Sequence, residues 1–465
     1  MASQQAFQDR FRRNVVFLLT VSLEDQADAL GKCLQAVSAA GGRVGSAQLL
    51  EGRPGWTSHE LQVFVASDAQ MEAVRSAVAA LAGVRIETVL DAAMESHRDG
   101  ACEMRSRRPI RSNTDLRIVY TPGVARVCKA IEARPALARQ YTNIANKVAI
   151  ATDGTAILGL GDIGPLAGLP VMEGKSAIFW EFAGISAEPI LISTKDADEF
   201  INIMLKLAVG FGAIQIEDVA APQCFKITRE LDRQLKIPVM HDDQHGTATI
   251  VMAGLFSALK TTGKKMSDLR VAISGAGAAG TAIANTLQLA GVADVVLADR
   301  AGVLYRGRKE NMNAEKVALA EHTNGQNVKG GLADAMKGRE LFIGVSQPNI
   351  VSQDMVRSMA KDPIVLALAN PVSEITVADA LEAGAAVAAD GRMMNNALAY
   401  PGIFRGALDC GAEMISVEMC MAAARALAEI VPAGGFLPEM MDPRTHQTVA
   451  EAVRNSPRTG TPLVQ

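Results

Sequence analysis

The sequence predicts an α/β protein in which a small ferredoxin-like βαββαβ module precedes a Gly-rich region built around a Rossmann-type doubly wound sheet. Residues 14–91 read as strand, helix, strand, strand, helix, strand. From about residue 112 short apolar runs alternate with helical stretches, the pattern of parallel sheets covered by helices. Residues 270–299 hold a strand, a Gly-x-Gly-x-x-Gly turn, a helix and a second strand ending in an acid.

In the first module VVFLLTVS is an apolar strand, and DQADALGKCLQAVSAA is a helix that stops at Gly41-Gly42. GSAQLLE and ELQVFVAS are strands flanking a polar Arg53-Pro54-Gly55 turn. DAQMEAVRSAVAALAG returns as a helix and VRIETVL closes the unit. Residues 92–111 are charged and aperiodic, as a solvated connector is. Further on, AIQIED and KIPVMHDD are apolar runs ending in acid pairs. ELFIGVSQP and IVLALANP end in polar residues, which sets Ser346 and Asn370 at the carboxyl ends of strands, where ligands of doubly wound sheets lie.

Composition narrows the class. Apolar residues make up 49% and charged residues 21% of 465, an ordinary globular balance. A net charge of −4 leaves no basic footprint for nucleic acid. No run reaches the ~18 apolar residues of a membrane span, and VVFLLTV is too short for a secretory leader. The six cysteines are scattered without a Cys-x-x-Cys pair, which fits reduced thiols and a cytoplasmic location.

In RVAISGAGAAG the first glycine, Gly275, makes the turn, and Gly277 lets backbone approach a pyrophosphate. Gly280 brings helix against strand, with Ala278 and Ala279 opening that helix so that phosphate meets its N-terminus. Asp299 ends the second strand 19 residues after Gly280, placed to bond ribose hydroxyls, which favours NAD. Arg300, Arg306 and Arg308 follow and leave NADP open. The acid pairs Glu217-Asp218 and Asp242-Asp243 end two strands and can converge on Mg²⁺ or Mn²⁺, which prefer carboxylate oxygen. Two independent solvated turns are the other reading. A zinc site on His241 and His245 is disfavoured: Pro238 and Gly246 break the helix that would put both rings on one face.

Taken together, YTPGV (120–124), TDGTAILGLGDIGPLAGLPVMEGKS (152–176), IEDVAAP (216–222), PVMHDDQHGTA (238–248), GAGAAG (275–280), LALANP (366–371) and NNALAYPGIFRG (395–406) resemble malic enzyme of the shorter bacterial type. The first module resembles an ACT domain, although SLEDQADALG lacks the Pro-Gly such domains often carry after strand one. The resemblance implies residues 1–95 as an ACT-like regulatory domain, 96–245 as a substrate and metal domain, and 246–465 as the NAD(P)-binding domain. It implies oxidative decarboxylation of (S)-malate to pyruvate and CO₂ with reduction of NAD or NADP and a divalent metal. Lys175 is then the general base, Tyr120 the acid that protonates the enol, and Asp242 the neighbour that tunes Lys175. Glu217, Asp218 and Asp243 are the metal ligands, and Asn370 and Asn396 hold substrate, with Asn395 a substitute. One departure is Ala156, standing where many larger members carry a substrate-binding Arg. The implied partners are malate, a small effector at the first module, and further copies in a homodimer or homotetramer. A malolactic-type enzyme giving lactate uses the same residues, and a non-catalytic nucleotide or effector sensor is the alternative of a different class.

Overall fold

The computed structural model describes residues 15–157, 159–458 and 460–463. The expectation about a leader falls partly on residues 1–14, and Leu158 of the Gly-rich stretch also lies outside the described residues. The chain divides into two compact units between Glu103 and Met104.

The first unit is β1 (Val15–Glu24), α1 (Ala29–Ala39), β2 (Arg43–Arg53), β3 (Trp56–Val65), α2 (Asp68–Ala79) and β4 (Val84–Asp91). Its antiparallel sheet runs in the order β2-β3-β1-β4, the ferredoxin-like arrangement. Period-2 alternation turns Leu19, Val21 and Leu23 of β1 and Leu61, Val63 and Val65 of β3 to one face. Met71, Val74 and Val78, spaced on one side of α2, pack into the same core with Cys33 and Val37 of α1. Ser67 starts α2 by accepting from the Gln70 backbone N–H.

The second unit opens with α3 (Asn113–Val119) and α4 (Val124–Ala133), neither of which buries a residue. A parallel sheet of order β6-β5-β7-β8 follows, formed by β5 (Lys147–Thr152), β6 (Ser186–Leu191), β7 (Ala213–Ile216) and β8 (Val239–His241). Its connections are α5 (Pro165–Ala183), α6 (Ala197–Leu207) and α7 (Gln223–Gln234). Alternation splits β5 between two cores: Val148 and Ile150 face one side, Ala149 and Ala151 the other, against Phe200, Met204 and Phe225.

α8 (Thr247–Thr262) is buried over most of its length and joins this sheet to a second one. That sheet comprises β9 (Arg270–Ser274), β10 (Asp294–Asp299), β11 (Gly302–Val303), β12 (Leu341–Gly344), β13 (Ile364–Ala367) and β14 (Val387–Asp390), with α9 (Ala278–Leu289) between β9 and β10. The order is β11-β10-β9-β12-β13-β14, parallel except for β11. Strands leave β9 in opposite directions, so the ligand crevice of a doubly wound sheet falls at the ends of β9 and β12, as the sequence predicts. One apolar core runs from Val148 and Ile150 through Ile250, Val251 and Leu255 of α8 to Val271 and Ile273 of β9. Three C-terminal helices, α10 (Tyr400–Cys410), α11 (Val417–Glu429) and α12 (Pro443–Arg454), pack against it.

Asp232 on α7 is a half-buried carboxylate outside any ion pair among the described residues, and desolvation pushes its pKa up to about 6. A folded-state pKa above the unfolded one means that the ionised form destabilises the fold at neutral pH and the penalty fades as pH falls below 6. Asp232→Asn is therefore expected to raise stability at pH 7.5 by about 1–2 kcal/mol, the shift being discounted for partial exposure. Thermal melts at pH 7.5 and 5 check this: the gain shrinks at the lower pH, and an equal gain at both sinks the assignment.

Candidate active site

Parallel neighbouring strands end at one edge of a sheet, and here two of them end in acids. Glu217 and Asp218 follow β7, Asp242 and Asp243 follow β8, and Ile216 pairs in register with His241. The two pairs expected from the sequence therefore converge: carboxylate oxygens of Glu217, Asp218 and Asp243 all lie within 4.8 Å of one another. The Asp218 backbone N–H donates to Asp243 Oδ2 at 3.2 Å. Asp218 holds a left-handed backbone, φ 52°, a strained conformation that aims its side chain into the cluster. Asp242–Gly246 forms a single π-helical turn before α8, a local widening often found at functional sites. A Cβ at Gly246 would stand 1.9 Å from Asp242 Oδ1, so only glycine lets the turn close on that carboxylate.

Lys175 projects from α5 into this edge. Its Nζ lies 2.5 Å from Asp242 Oδ2 and 2.7 Å from Glu217 Oε1, and all three side chains are largely or fully buried. Burial opposes the ammonium, but Asp242 and Glu217 outweigh it and hold the Lys175 pKa well above the ordinary lysine value. Burial pushes the Glu217 carboxyl up; Lys175 pulls it back, and Asp243, Asp242 and Asp218 push it further. Gln215 Nε2 donates to the other oxygen, Glu217 Oε2, at 2.7 Å, and so orients it. Across the pocket Asn396 Nδ2 donates to Thr247 Oγ1 at 3.0 Å and reaches Asp242 Oδ2 at 3.4 Å. Asn395 instead accepts from the Ala397 N–H, a local cap.

Four carboxylates facing one ammonium leave unbalanced negative charge, and the donors closest to one another are all oxygens. That set fits a hard divalent cation such as Mg²⁺ or Mn²⁺ on Glu217, Asp218 and Asp243. The zinc alternative finds no support, because His245 Nδ1 faces back to accept from the His241 N–H at 3.4 Å. Ala156 lies under the cluster, its N–H donating to the Asp218 carbonyl at 2.9 Å.

At the second sheet the three glycines have the predicted geometry. Gly275 has φ 110°, a Cβ at Gly280 would stand 1.9 Å from the Gly275 carbonyl oxygen, and a Cβ at Gly277 would meet nothing within 4 Å. Close packing at Gly280 and open space at Gly277 are what a bound pyrophosphate needs. Ala278 and Ala279 form the first turn of α9, whose start carries no side-chain cap. That helix packs on the Asp242–Gly246 turn, which brings the dinucleotide crevice against the acidic pocket. Ser346 Oγ lies 2.8 Å from Ser274 Oγ, and its N–H donates to the buried Glu374. The other Glu374 oxygen accepts from Ala369 N–H, tying the end of β12 to that of β13, where Asn370 lies beside Gly391.

Two of the expected residues stand in surroundings that the sequence did not foretell. Asp299 is not a bare acceptor for ribose: its Oδ2 accepts from Arg308 at 2.6 Å, Lys316 at 2.7 Å and Asn311 at 2.9 Å, leaving Oδ1 with the Ala301 N–H. Burial would raise its pKa, but Arg308 and Lys316 win and lower it. Tyr120 does not join the pocket within its own chain. It follows α3 on the surface, 65% exposed, and no described contact links it to Lys175 or the carboxylates. The reason is that α3 and α4 are not packed down, so nothing directs the ring inward. Sequence reasoning also passed over Gln215, Lys316, Glu374 and Tyr400. Only Gln215 carried a signal, as a polar residue inside the apolar strand AIQI, two positions before Glu217 and so on its face.

A dinucleotide crevice set against a buried lysine and clustered carboxylates defines a nicotinamide-linked oxidoreductase. Residues 99–232 match the malic enzyme N-terminal domain and residues 244–394 the malic enzyme NAD-binding domain. The NAD-dependent malic enzyme of Geobacillus stearothermophilus is 44% identical over 88% of this chain and 85% of its own length. NAD-dependent malic enzyme 1 of Bacillus subtilis is 40% identical over 96% of this chain and 98% of its own. The crystal structure of NAD-dependent malic enzyme from Thermotoga maritima superposes with a TM-score of 0.76 at 40% identity, over 79% of this chain and 100% of that one. The chain belongs to the malic enzyme family.

Proposed function

We propose that the chain catalyses divalent-metal-dependent oxidative decarboxylation of (S)-malate to pyruvate and CO₂ with reduction of NAD. The observation that carries this reading is Lys175 held between Glu217 and Asp242 beside the Glu217–Asp218–Asp243 cluster. In the reaction Lys175 Nζ, whose neutral form would be favoured once divalent charge on Glu217, Asp218 and Asp243 offset the carboxylates around it, takes the C2 hydroxyl proton as hydride passes from C2 to NAD, and Asp242 keeps that nitrogen aimed at the substrate. Glu217, Asp218 and Asp243 would hold Mg²⁺ or Mn²⁺, which when bound would supply Lewis acidity to the substrate. Asn396 and Asn370 bind substrate through their amides. Gly275, Gly277 and Gly280, with the start of α9 at Ala278 and Ala279, bind the pyrophosphate, and Ser346 lines the same crevice. Asp299 Oδ1 keeps acceptor capacity for the ribose.

Tyr120 is assigned the proton that C3 receives, and we place it in the pocket of a second copy. Its own segment exposes Leu116, Ile118 and Val119 beside it, an apolar surface that a second copy in a homodimer would cover. The boundaries we adopt are 1–95 for an ACT-like domain, 96–245 for the substrate and metal domain and 246–465 for the NAD(P) domain. The first of these is read as a seat for a small effector.

Purified protein with malate and Mn²⁺, supplied with NAD and NADP in parallel, tests the proposal through formation of reduced nicotinamide. The NADP arm measures how far Arg308 and Lys316 offset repulsion between Asp299 and a 2′-phosphate. Activity is expected to vanish on chelation and return with Mn²⁺. Asp243→Asn is expected to raise the Mn²⁺ needed for half-maximal rate by at least about tenfold. No reduced nicotinamide with either cofactor from folded protein overturns the reading. A relative 46% identical over 76% of this chain and 89% of its own is the bifunctional malic/malolactic enzyme of Bacillus subtilis, so lactate is measured in the same samples.

A further inference from the structure

The Lys175 ammonium has a third neighbour besides its two carboxylates: it lies 4.8 Å from the centroid of the Tyr400 ring. Tyr400 begins α10, four residues after Asn396, so one short segment supplies contacts to both Asp242 and Lys175. The ring is fixed from the other side. Phe179, one helical turn after Lys175 on α5, meets Tyr400 edge-on at 4.9 Å and Phe404 at 5.5 Å. Tyr400 is 1% exposed, and its hydroxyl finds no hydrogen-bond partner among the described residues. What it brings to the pocket is therefore its face. An aromatic face attracts a cation, most strongly where water is excluded. It also restricts a side chain with four rotatable bonds, whose disorder would otherwise take the amine off line.

We propose that Tyr400 is a positioning residue for Lys175: its ring face, braced by Phe179, holds the lysine nitrogen in line with the substrate hydroxyl. The inference rests on the role of Lys175 in malate oxidation proposed above. In this arrangement Asp242 and Glu217 set the nitrogen from the polar side of the pocket and Tyr400 closes the apolar side. The hydroxyl is dispensable and the π-face is not.

Two kinds of variant of the full chain test this in the malate, Mn²⁺ and NAD assay. Tyr400→Phe keeps the face and is expected to retain kcat within about twofold, with Tm equal or higher because an unpaired buried hydroxyl is removed. Tyr400→Leu is expected to lower kcat roughly tenfold, with KM for malate and the affinity for NADH within about twofold of wild type. A series carrying mono-, di- and trifluorophenylalanine at position 400 preserves ring shape while draining its face of negative potential. There log kcat should fall steadily with fluorination, a response that a purely space-filling ring does not produce. The proposal is overturned if kcat is flat across that series, or if Tyr400→Leu keeps more than half of wild-type kcat. It is equally overturned if Tyr400→Phe loses as much as Tyr400→Leu, since the hydroxyl would then be the active part. Malate oxidation by the wild type is the separate control: its failure overturns the reading of Lys175 before any variant is compared.

Discussion

Lys175→Met is expected to lower kcat for malate oxidation by at least about a thousandfold while leaving NADH binding intact. General-base contributions run to about 10²–10⁴. Methionine keeps the length of the side chain but supplies neither a proton acceptor nor a charge. Among the described residues no other base stands where Lys175 does: its ionisable neighbours are carboxylates, held by another contact or grouped in the metal cluster, and Tyr400, whose phenol burial pushes up and keeps protonated. NADH binding depends on the Gly275–Gly280 turn, which does not touch Lys175, so its fluorescence titration should be unchanged. Manganese affinity should hold or tighten, because Glu217 loses a competing cation. Retention of more than about a hundredth of wild-type kcat would remove Lys175 from the role of base.

Tyr120→Phe and Lys175→Met, each inactive alone, are expected to restore activity when co-expressed. If Tyr120 serves the pocket of a second copy, a mixed dimer holds one site with both changes and one with neither. Random pairing in a closed two-fold dimer then returns roughly a quarter of wild-type activity. If Tyr120 and Lys175 acted within one chain, every site in every mixture would lack one of them, and the mixture would stay dead. The structural reason to expect rescue is the exposure of the segment: Ile118 is 69% and Tyr120 65% exposed, and neither α3 nor α4 buries a residue in its own chain. Tyr120→Phe keeps the ring and its apolar contacts, so assembly is preserved and only the proton is lost. Sedimentation of the mixed sample reports on pairing, and an inactive sample of normal assembly would falsify the exchange.

The acidic cluster was legible because its logic is local. An apolar run ending in two acids, met twice, places both pairs at strand ends. Parallel pairing then brings such ends to one edge whatever the intervening residues are. The glycines of the dinucleotide turn were legible for a similar reason. The φ of 110° at Gly275 and the 1.9 Å approach at Gly280 admit no side chain, so residue identity reports backbone geometry directly. Asp299 shows where this stops. Its position at the end of β10 could be counted, but the partners of its Oδ2 come from a loop and a helix up to 17 residues away whose paths no spacing rule gives.

Lys175 was tied to the acids only through the resemblance to malic enzyme. By itself, then, the sequence determined the βαββαβ order, the strand–turn–helix of the cofactor site and the placing of the acid pairs Glu217-Asp218 and Asp242-Asp243 at strand ends. Each follows from periodicity, turn chemistry or strand-end placement, which act over a few residues. Only the tertiary structure decided that Tyr400 lies against Lys175, 225 positions earlier in the chain, and that Asp299 is held by Arg308 and Lys316. It alone decided that Tyr120 stays on the surface of its own chain. Those outcomes depend on which faces of distant helices and loops pack together. That is settled by the summed burial of many side chains, and no short stretch of sequence records it.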